Sequence, residues 1–333
     1  MIKRLLRSAT VTAGRYISPE TLISVTKEQV IMPFYHLVAA HTPPHIRHLY
    51  EAKNLKQFEE DLDFLLRHFR AIGLQDLYCH AFEEKHIKHP SFFLSFDDGL
   101  SSFYDVVAPV LERKGVPATC FLNPSFVDNK DIMYRYKVSL IIERLSGKNT
   151  SDSGYRGVRE LLGGREVKSN LLHKKYSDTG VLDEIAANAG LDFKAYLAQE
   201  RPYMSGEQIL NLRHRGFEFG AHSMDHPHFG TIGTEEQVRQ VVESVRWVEE
   251  FVGNKNAAFA FPFTDHGVHR DAVRRIREQV GPNLLIFGTA GLKKPKARAY
   301  FQRISMEVPP LSARDILKHE YLYYILKNMI GRA

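Results

Sequence analysis

About seven short apolar runs, most of them followed by an amphipathic helical period, constrain this chain more than any other feature. They fall at residues 30–36, 91–96, 118–122, 217–221, 257–263, 283–287 and 300–304. The run Ser91-Phe92-Phe93-Leu94-Ser95-Phe96 sends apolar side chains to both faces. That is the pattern of a strand covered on both sides, and such strands separated by helices assemble into a parallel sheet. The periods between the runs agree. Phe58, Leu62, Leu65, Leu66 and Phe69 line one helical face behind Asn54 and Gln57 as N-cap and N3, with Gly73 closing the helix. Val106, Val107, Val110 and Leu111 lead to a stop at Gly115, and Ser205 with Gln208 caps a helix through Ile209 and Leu212. Thr234 with Gln237 caps a longer one, whose Val238, Val241, Val242, Val245, Val248 and Val252 form a buried stripe. About seven parallel strands joined by helices are expected to close, or nearly close, into an α/β barrel, with residues 1–333 as one domain.

Two stretches stand outside this rhythm. Residues 130–204 carry helical periods, such as Tyr136, Leu140, Ile141 and Leu145, and read as a helical insertion. It either packs on the barrel exterior or forms a lid or wall at the mouth, where the loops of a barrel flank its chemistry. Residues 312–330 read as a final helix with a wide apolar arc that includes Ile316, Leu317, Tyr321 and Leu322. That helix packs on the barrel or on a second subunit, or else lies against a membrane surface flanked by Lys318, Lys327 and Arg332. Residues 1–28 are a polar lead-in with a short helix.

The chemistry sits where the strands stop. The 91–96 run ends abruptly at Asp97-Asp98-Gly99, so two adjacent carboxylates occupy the C-terminal mouth of a strand. Taken alone this is also an ordinary turn sequence. The strand at 217–221 ends in His222-Ser223-Met224-Asp225-His226-Pro227. Two imidazoles four residues apart can converge on one ion, and a carboxylate from another strand mouth would complete a three-ligand set with one coordination position open, which is the arrangement of a catalytic metal. Tyr35-His36 ends the first strand.

These residues resemble the polysaccharide deacetylase (NodB-homology) family. Ser95-Phe96-Asp97-Asp98-Gly99 is similar to its first motif, Ser/Thr-Phe-Asp-Asp-Gly, and His222 to Pro227 to its second, His-Ser/Thr-x-x-His-Pro. Phe259-Ala260-Phe261-Pro262-Phe263 resembles the third, Arg-x-Pro-Phe/Tyr, with Ala260 where the arginine would stand. The resemblance covers roughly residues 30–310 and implies a deformed (β/α) barrel with a helical insertion. It further implies that Asp98, His222 and His226 hold a divalent metal, zinc or else cobalt or nickel, and that Asp97 is the base. By the same resemblance Phe263 supplies a backbone N–H to the oxyanion, beside Pro262. His36 is placed near the substrate, and Arg303 or Glu307, in Arg303-Ile304-Ser305-Met306-Glu307, near the site. With Ala260, Asp97 is held by something other than the usual arginine or is less finely positioned. Relatives take their general acid from a Leu-x-His sequence, but Leu317-Lys318-His319 falls inside the final helix, and His266 and His269 have no distinguishing spacing. The implied activity is removal of acetyl from an N-acetylated, or with less support O-acetylated, sugar or glycan precursor. A glycan-binding or scaffolding protein on the same barrel is the alternative.

Composition adds bounds. A net charge of +6 suits an anionic partner without demanding one, and the basic residues form no nucleic-acid signature. Cys79 and Cys120 stand in no metal or redox pattern. No run approaches the ~20 apolar residues of a membrane span, and residues 1–10 carry positive charge without the apolar run of ~7–15 residues of a signal core, so the chain is expected to be cytoplasmic.

Overall fold

The computed structural model describes residues 17–329 apart from 84, 149, 150, 165, 255, 295 and 296. Its strands are β1 (residues 30–35, interrupted at Met32), β2 (Arg70–Ile72), β3 (residues 91–96, interrupted at Leu94), β4 (Thr119–Leu122), β5 (Glu218–Ala221), β6 (Ala258–Ala260), β7 (Leu285–Gly288) and β8 (residues 300–305, interrupted at Arg303). The main sheet has eight strand segments, all paired in parallel, and it begins and ends on the two halves of β8. Tyr300–Gln302 pairs with β7, and after the break at Arg303 Ile304–Ser305 pairs with β1, so the sheet closes on itself. This is the expected deformed (β/α) barrel. β1 and β3 divide their pairing in the same way, with their first halves joining β2 in a small three-stranded sheet.

Alternation along the strands sorts their side chains into two layers. Phe92, Leu94 and Phe96 of β3, with Cys120 and Leu122 of β4, pack among the helices outside. Phe93, Phe121, Ala258, Ala260, Phe287 and Phe301 form a separate cluster within the barrel. Gly220 in β5 is dictated by that cluster, because a Cβ there would come within 2.5 Å of the Phe121 ring.

The helix Gly206–His214 forms behind its expected cap of Ser205 and Gln208, the helix Thr234–Val252 forms where the periodicity places it, and all six valines of the stripe are buried. Three local expectations are corrected. The helix that starts after Asn54 ends at His68, not Gly73, because Phe69 already has extended dihedrals and residues 70–72 go on to form β2. Gly73 instead caps the start of the next helix, Leu74–Phe82. Thr234 is already helical behind Gly233, and the Gln237 side chain turns inward to donate to the carbonyl of Phe229 at 2.7 Å.

Residues 130–204 contain the helices Tyr134–Leu145, Ser153–Leu161, Val167–Leu172, Thr179–Asn188 and Phe193–Glu200. Their shared core includes Tyr136, Ile141, Leu171 and Ile185, and it takes in Leu37 and Ile46 from after β1 and Leu100 from after β3. The helices therefore lie over the loops at the C-terminal mouth. The final helix, Ala313–Met329, buries Ile316, Leu317 and Tyr321 in the outer core with Leu22 and Ile23 of the helix Pro19–Thr26. Leu326 and Met329 stay exposed. Among the described residues no helix is long and apolar enough to cross a membrane. The readings made on residues 1–16 and on Arg332 lie outside the described residues.

A buried polar knot ties the start of this last helix to the barrel. Asp61 pairs with Lys53, accepts from the Tyr35 hydroxyl at 3.0 Å and accepts the backbone N–H of Ala313 at 2.6 Å, with Lys53 and Asp61 each 2% exposed. Removing one charge from such a pair strands the other in a medium of low polarity. Asp61→Asn is therefore expected to lower the unfolding free energy by about 3–5 kcal/mol in a urea titration, whereas Asp63→Asn, at a solvent-exposed pair, is expected to change it by less than about 1 kcal/mol.

Candidate active site

At the mouth, β3 delivers Asp97 and Asp98 into a buried setting, with the two carboxylates 2% and 4% exposed. Gly99 makes the turn that follows with φ +66°, and a Cβ on it would press on Leu122 at 3.0 Å. Asp97 meets Arg303 in a two-pronged pair, Nη1 to Oδ1 at 2.6 Å and Nη2 to Oδ2 at 2.8 Å. Nη1 also donates to Ser95 Oγ at 3.1 Å, and the guanidinium stands over the rings of Phe34 and Phe121 at 4.4 and 5.2 Å. Burial by itself would raise the Asp97 pKa, but Arg303, then His222, outweigh it and hold the carboxyl below its ordinary value. The arginine missing at Ala260 is thus matched by one from the break in β8. Ala260 packs in the interior cluster with Phe121, over whose ring the Arg303 guanidinium stands.

Asp98, His222 and His226 converge, all buried, with one ligand atom from each within 4.8 Å of the others. His222 Nδ1 donates to the Ala260 carbonyl at 2.8 Å, which fixes the tautomer and turns Nε2 toward Asp98. Asp98 Oδ1 lies 3.6 Å from His222 Nε2 and 3.2 Å from His226 Nε2. Among the described residues neither Asp98 Oδ1 nor His222 Nε2 has a hydrogen-bond partner, although both are buried. Unpartnered donors and acceptors are rare in protein interiors. Two imidazoles and a carboxylate facing one another in this way fit a divalent cation. Burial, with His226 alongside, lowers the His222 pKa to about 4 against the pull of Asp97 and Asp98, so the ring is neutral at neutral pH. For Asp98, burial would raise the pKa, but His226, His36 and His222 together carry it well below the usual carboxylate range.

Four residues of this region, Asp98, Ser223, His226 and Phe263, have positive φ without being glycine. Specific bonds hold the loop after β5: Asn123 Nδ2 donates to the carbonyls of His222 and Ser223, and Ser223 Oγ accepts the His226 N–H at 3.1 Å. Gln240 takes the Met224 N–H at 2.9 Å and donates to Asp225 at 2.7 Å.

The remaining expected residues fall as follows. His36 lines the cavity, and its Nδ1 is bonded to Glu307, whose other oxygen accepts the Leu37 N–H at 2.8 Å. Burial works against protonation of His36, but Glu307, with Asp98 and Asp97, outweighs it and raises the pKa to about 9. Phe263 sits at the cavity rim, 40% exposed, its ring edge-on to His226 at 4.6 Å, and among the described residues nothing accepts its N–H. Pro262 is buried behind it. His319 lies within the final helix, stacked on Tyr323, while His266 and His269 are exposed, and none of the three lines the cavity.

The cavity, about 390 Å³, is walled in part by residues that the motifs do not mark: Leu49, Tyr50, Met133 and Arg135. Tyr136, in the first turn of the helix Tyr134–Leu145, donates its hydroxyl to Asp98 Oδ2 at 2.8 Å. Burial, then the nearby Asp98, pushes its pKa far above the ordinary phenol value, so the hydroxyl stays a donor. Sequence reading counted Tyr136 only as part of an apolar helical face, and its spacing carries no other signal.

No curated protein matches the sequence. Among solved structures the fold is similar to the Streptococcus pyogenes deacetylase PplD, solved in complex with acetate (13% identity, 87% of this chain and 97% of that one, TM-score 0.57). It is also similar to IcaB from Ammonifex degensii (16% identity, 88% and 97%, TM-score 0.55) and to a de-N-acetylase from Aggregatibacter actinomycetemcomitans (13% identity, 86% and 99%, TM-score 0.54). At these identities the likeness speaks for the barrel alone. The family model for polysaccharide deacetylase matches residues 84–159 and 164–284, more than half of the sequence and the stretch that holds both Asp97-Asp98 and His222 to His226, and on that match the chain belongs to the polysaccharide deacetylase family.

Proposed function

We propose that the chain is a metal-dependent hydrolase that removes the acetyl group from an N-acetylated sugar or glycan precursor. The observation that carries the proposal is the meeting of three buried ligand atoms, two of them otherwise unpartnered, beside a second carboxylate held in a two-pronged arginine pair. Asp98, His222 and His226 would hold the ion. The donor set suits zinc and accommodates cobalt or nickel. When bound, such an ion supplies Lewis acidity toward an acyl carbonyl and brings the pKa of water from 15.7 toward about 7.

The protein's own groups divide the proton work. Arg303 keeps Asp97 ionised and fixes both its oxygens, so Asp97 is the base that takes the proton from the attacking water. Glu307 keeps His36 protonated, so His36 is the acid that gives a proton to the departing nitrogen. The N–H of Phe263, which among the described residues meets no acceptor, is available to the developing oxyanion. Tyr136 occupies one oxygen of Asp98 and leaves the other facing the histidines. A protonated imidazole favours the amide over the ester, because an amine leaves only once protonated whereas an alkoxide depends on the acid much less. Against the alternative of a glycan-binding or scaffolding protein stand the pairing of Asp97 with Arg303, despite Ala260, and a histidine, His36, in the cavity.

The first test is metal content with acetate release. Purified protein is expected to hold about one zinc, cobalt or nickel per chain after loading and to release acetate from N-acetylated saccharides, and Asp98→Ala and His226→Ala to lose both; absence of metal above the level of the variants overturns the proposal. The acid assignment is tested by the pH profile of kcat/KM. Its alkaline limb should lie near pH 9 in the native protein, where His36 loses its proton. Glu307→Gln removes the charge that raises this pKa, so the limb should move down toward the ordinary imidazole value of about 6.5. Finally, Tyr136→Phe should weaken metal affinity by about 10–100-fold in a competition titration against a chromophoric chelator, as loss of a bond that orients a ligand does, with the melting profile little changed.

A further inference from the structure

The insertion brings a cation into the cavity that no motif predicts. Arg135 is the second residue of the helix Tyr134–Leu145, is half-buried, and lines the same cavity as His36, Asp97, Asp98 and His226. Its Nη1 donates to the Leu172 carbonyl at 2.7 Å, which ties the head group to a neighbouring helix. Among the described residues no carboxylate comes within 4.0 Å of it and its other nitrogens meet no acceptor. The other charged groups here already have neighbours: Asp97 pairs with Arg303, Glu307 with His36, and Asp98 takes the Tyr136 hydroxyl on one oxygen and turns the other toward His222 and His226. Two residues along the same helix, Lys137 shows the contrast: it is held by Asp131 at 3.5 Å and Asp183 at 2.8 Å. A cation braced by a backbone carbonyl and left without a counter-charge beside the reacting groups is arranged to receive one from a ligand.

We infer that Arg135 binds an anionic group of the substrate, so that the chain acts on an N-acetylated saccharide bearing a phosphate or carboxylate near its acetamide. This rests on the deacetylase reading for the reaction and on Arg135 alone for the charge. The fork of the guanidinium matches either anion, and both supply the same chemistry, two acceptor oxygens in one plane. The net charge of +6 favours approach of such a ligand from a distance.

The test uses the metal-loaded full chain and three probes: methyl N-acetylglucosaminide, N-acetylglucosamine 1-phosphate and an N-acetylated hexosaminuronic acid. Binding is followed by calorimetry and turnover by acetate release. The native protein should bind and turn over at least one anionic probe about 10–100-fold better than the neutral one, the weight of a charge-assisted hydrogen bond, and the preference should shrink with added salt. Arg135→Ala should abolish the preference while leaving the neutral probe nearly unchanged. Arg135→Gln, which retains a donor for Leu172, should do the same, and Arg135→Lys should restore part of it. The phosphate and uronate arms separate the two anions. Equal handling of neutral and anionic probes by the native protein, or an equal loss on all probes in Arg135→Gln, overturns the inference while leaving the deacetylase reading intact. Binding of an anionic probe through Arg135 with no acetate released from any probe overturns the deacetylase reading and leaves this one.

Discussion

The two-pronged pair between Arg303 and Asp97 joins the closure of the barrel to its chemistry. Arg303 occupies the one residue at which β8 lets go of β7 and takes hold of β1, and its backbone N–H still bonds to Gly288 at 3.0 Å while the Met32 carbonyl accepts from Ile304 at 2.8 Å. The strand break turns the side chain inward, where it is fully buried between Phe34 and Phe121 and reaches the end of β3. A buried guanidinium or a buried carboxylate alone would be costly in this setting, and each makes the other tolerable. The site therefore exists only in a barrel that has closed, since the last strand supplies the charge that holds the residue at the end of the third.

Around that pair the backbone is under strain that neighbouring groups over-determine. Positive φ costs a residue other than glycine about 1–3 kcal/mol, and Asp98, Ser223, His226 and Phe263 all adopt it within one small region. The bonds from Asn123, Ser223 and Gln240 account for how the loop after β5 tolerates it. The conformation has a use. It presents the His226 ring to Asp98 from a loop only four residues beyond His222, and it sets Phe263 at the rim, where among the described residues nothing accepts its N–H.

Much of the barrel was legible because its strands are apolar on both faces and its helices carry cap sequences such as Ser205 with Gln208, local signals that survive without tertiary context. β2 was not legible. Its three residues, Arg70, Ala71 and Ile72, are too few to show a period, and the pairing with β3 that makes them a strand is a long-range event. The approach of His222 and His226 to one point was legible from their spacing, and Asp98 as their partner from the family resemblance. Arg303 reads from the sequence only as a residue near the site, because the strand break that places it against Asp97 is a long-range pairing event with no sequence signature. Tyr136 and Arg135 were invisible for a related reason: at helical spacing a tyrosine reads as core and an arginine as solvated face, and only the placement of their helix end over the mouth gives them other neighbours.

That placement gives the insertion its part in the site. A barrel mouth composed only of strand ends and short loops would leave Asp98 with one oxygen toward solvent. Here the first turn of the helix Tyr134–Leu145 covers it, and Tyr136 is in turn stacked on Tyr203, whose hydroxyl accepts the Met133 N–H at 3.1 Å. Tyr203 belongs to the segment that returns to the barrel, where it forms an isolated bridge with Leu100 just after the two carboxylates. The entry and exit of the insertion are thus clamped to each other and to β3 at the point where the acids emerge. The outer parts of the insertion reach the same region, since the Tyr176 hydroxyl donates to Asp225, between His222 and His226, at 2.5 Å, and the Leu172 carbonyl accepts from Arg135 at 2.7 Å. The insertion's first turn, which holds Tyr136 on Asp98 and sets Arg135 in the cavity wall, is the part that meets the strand ends most directly.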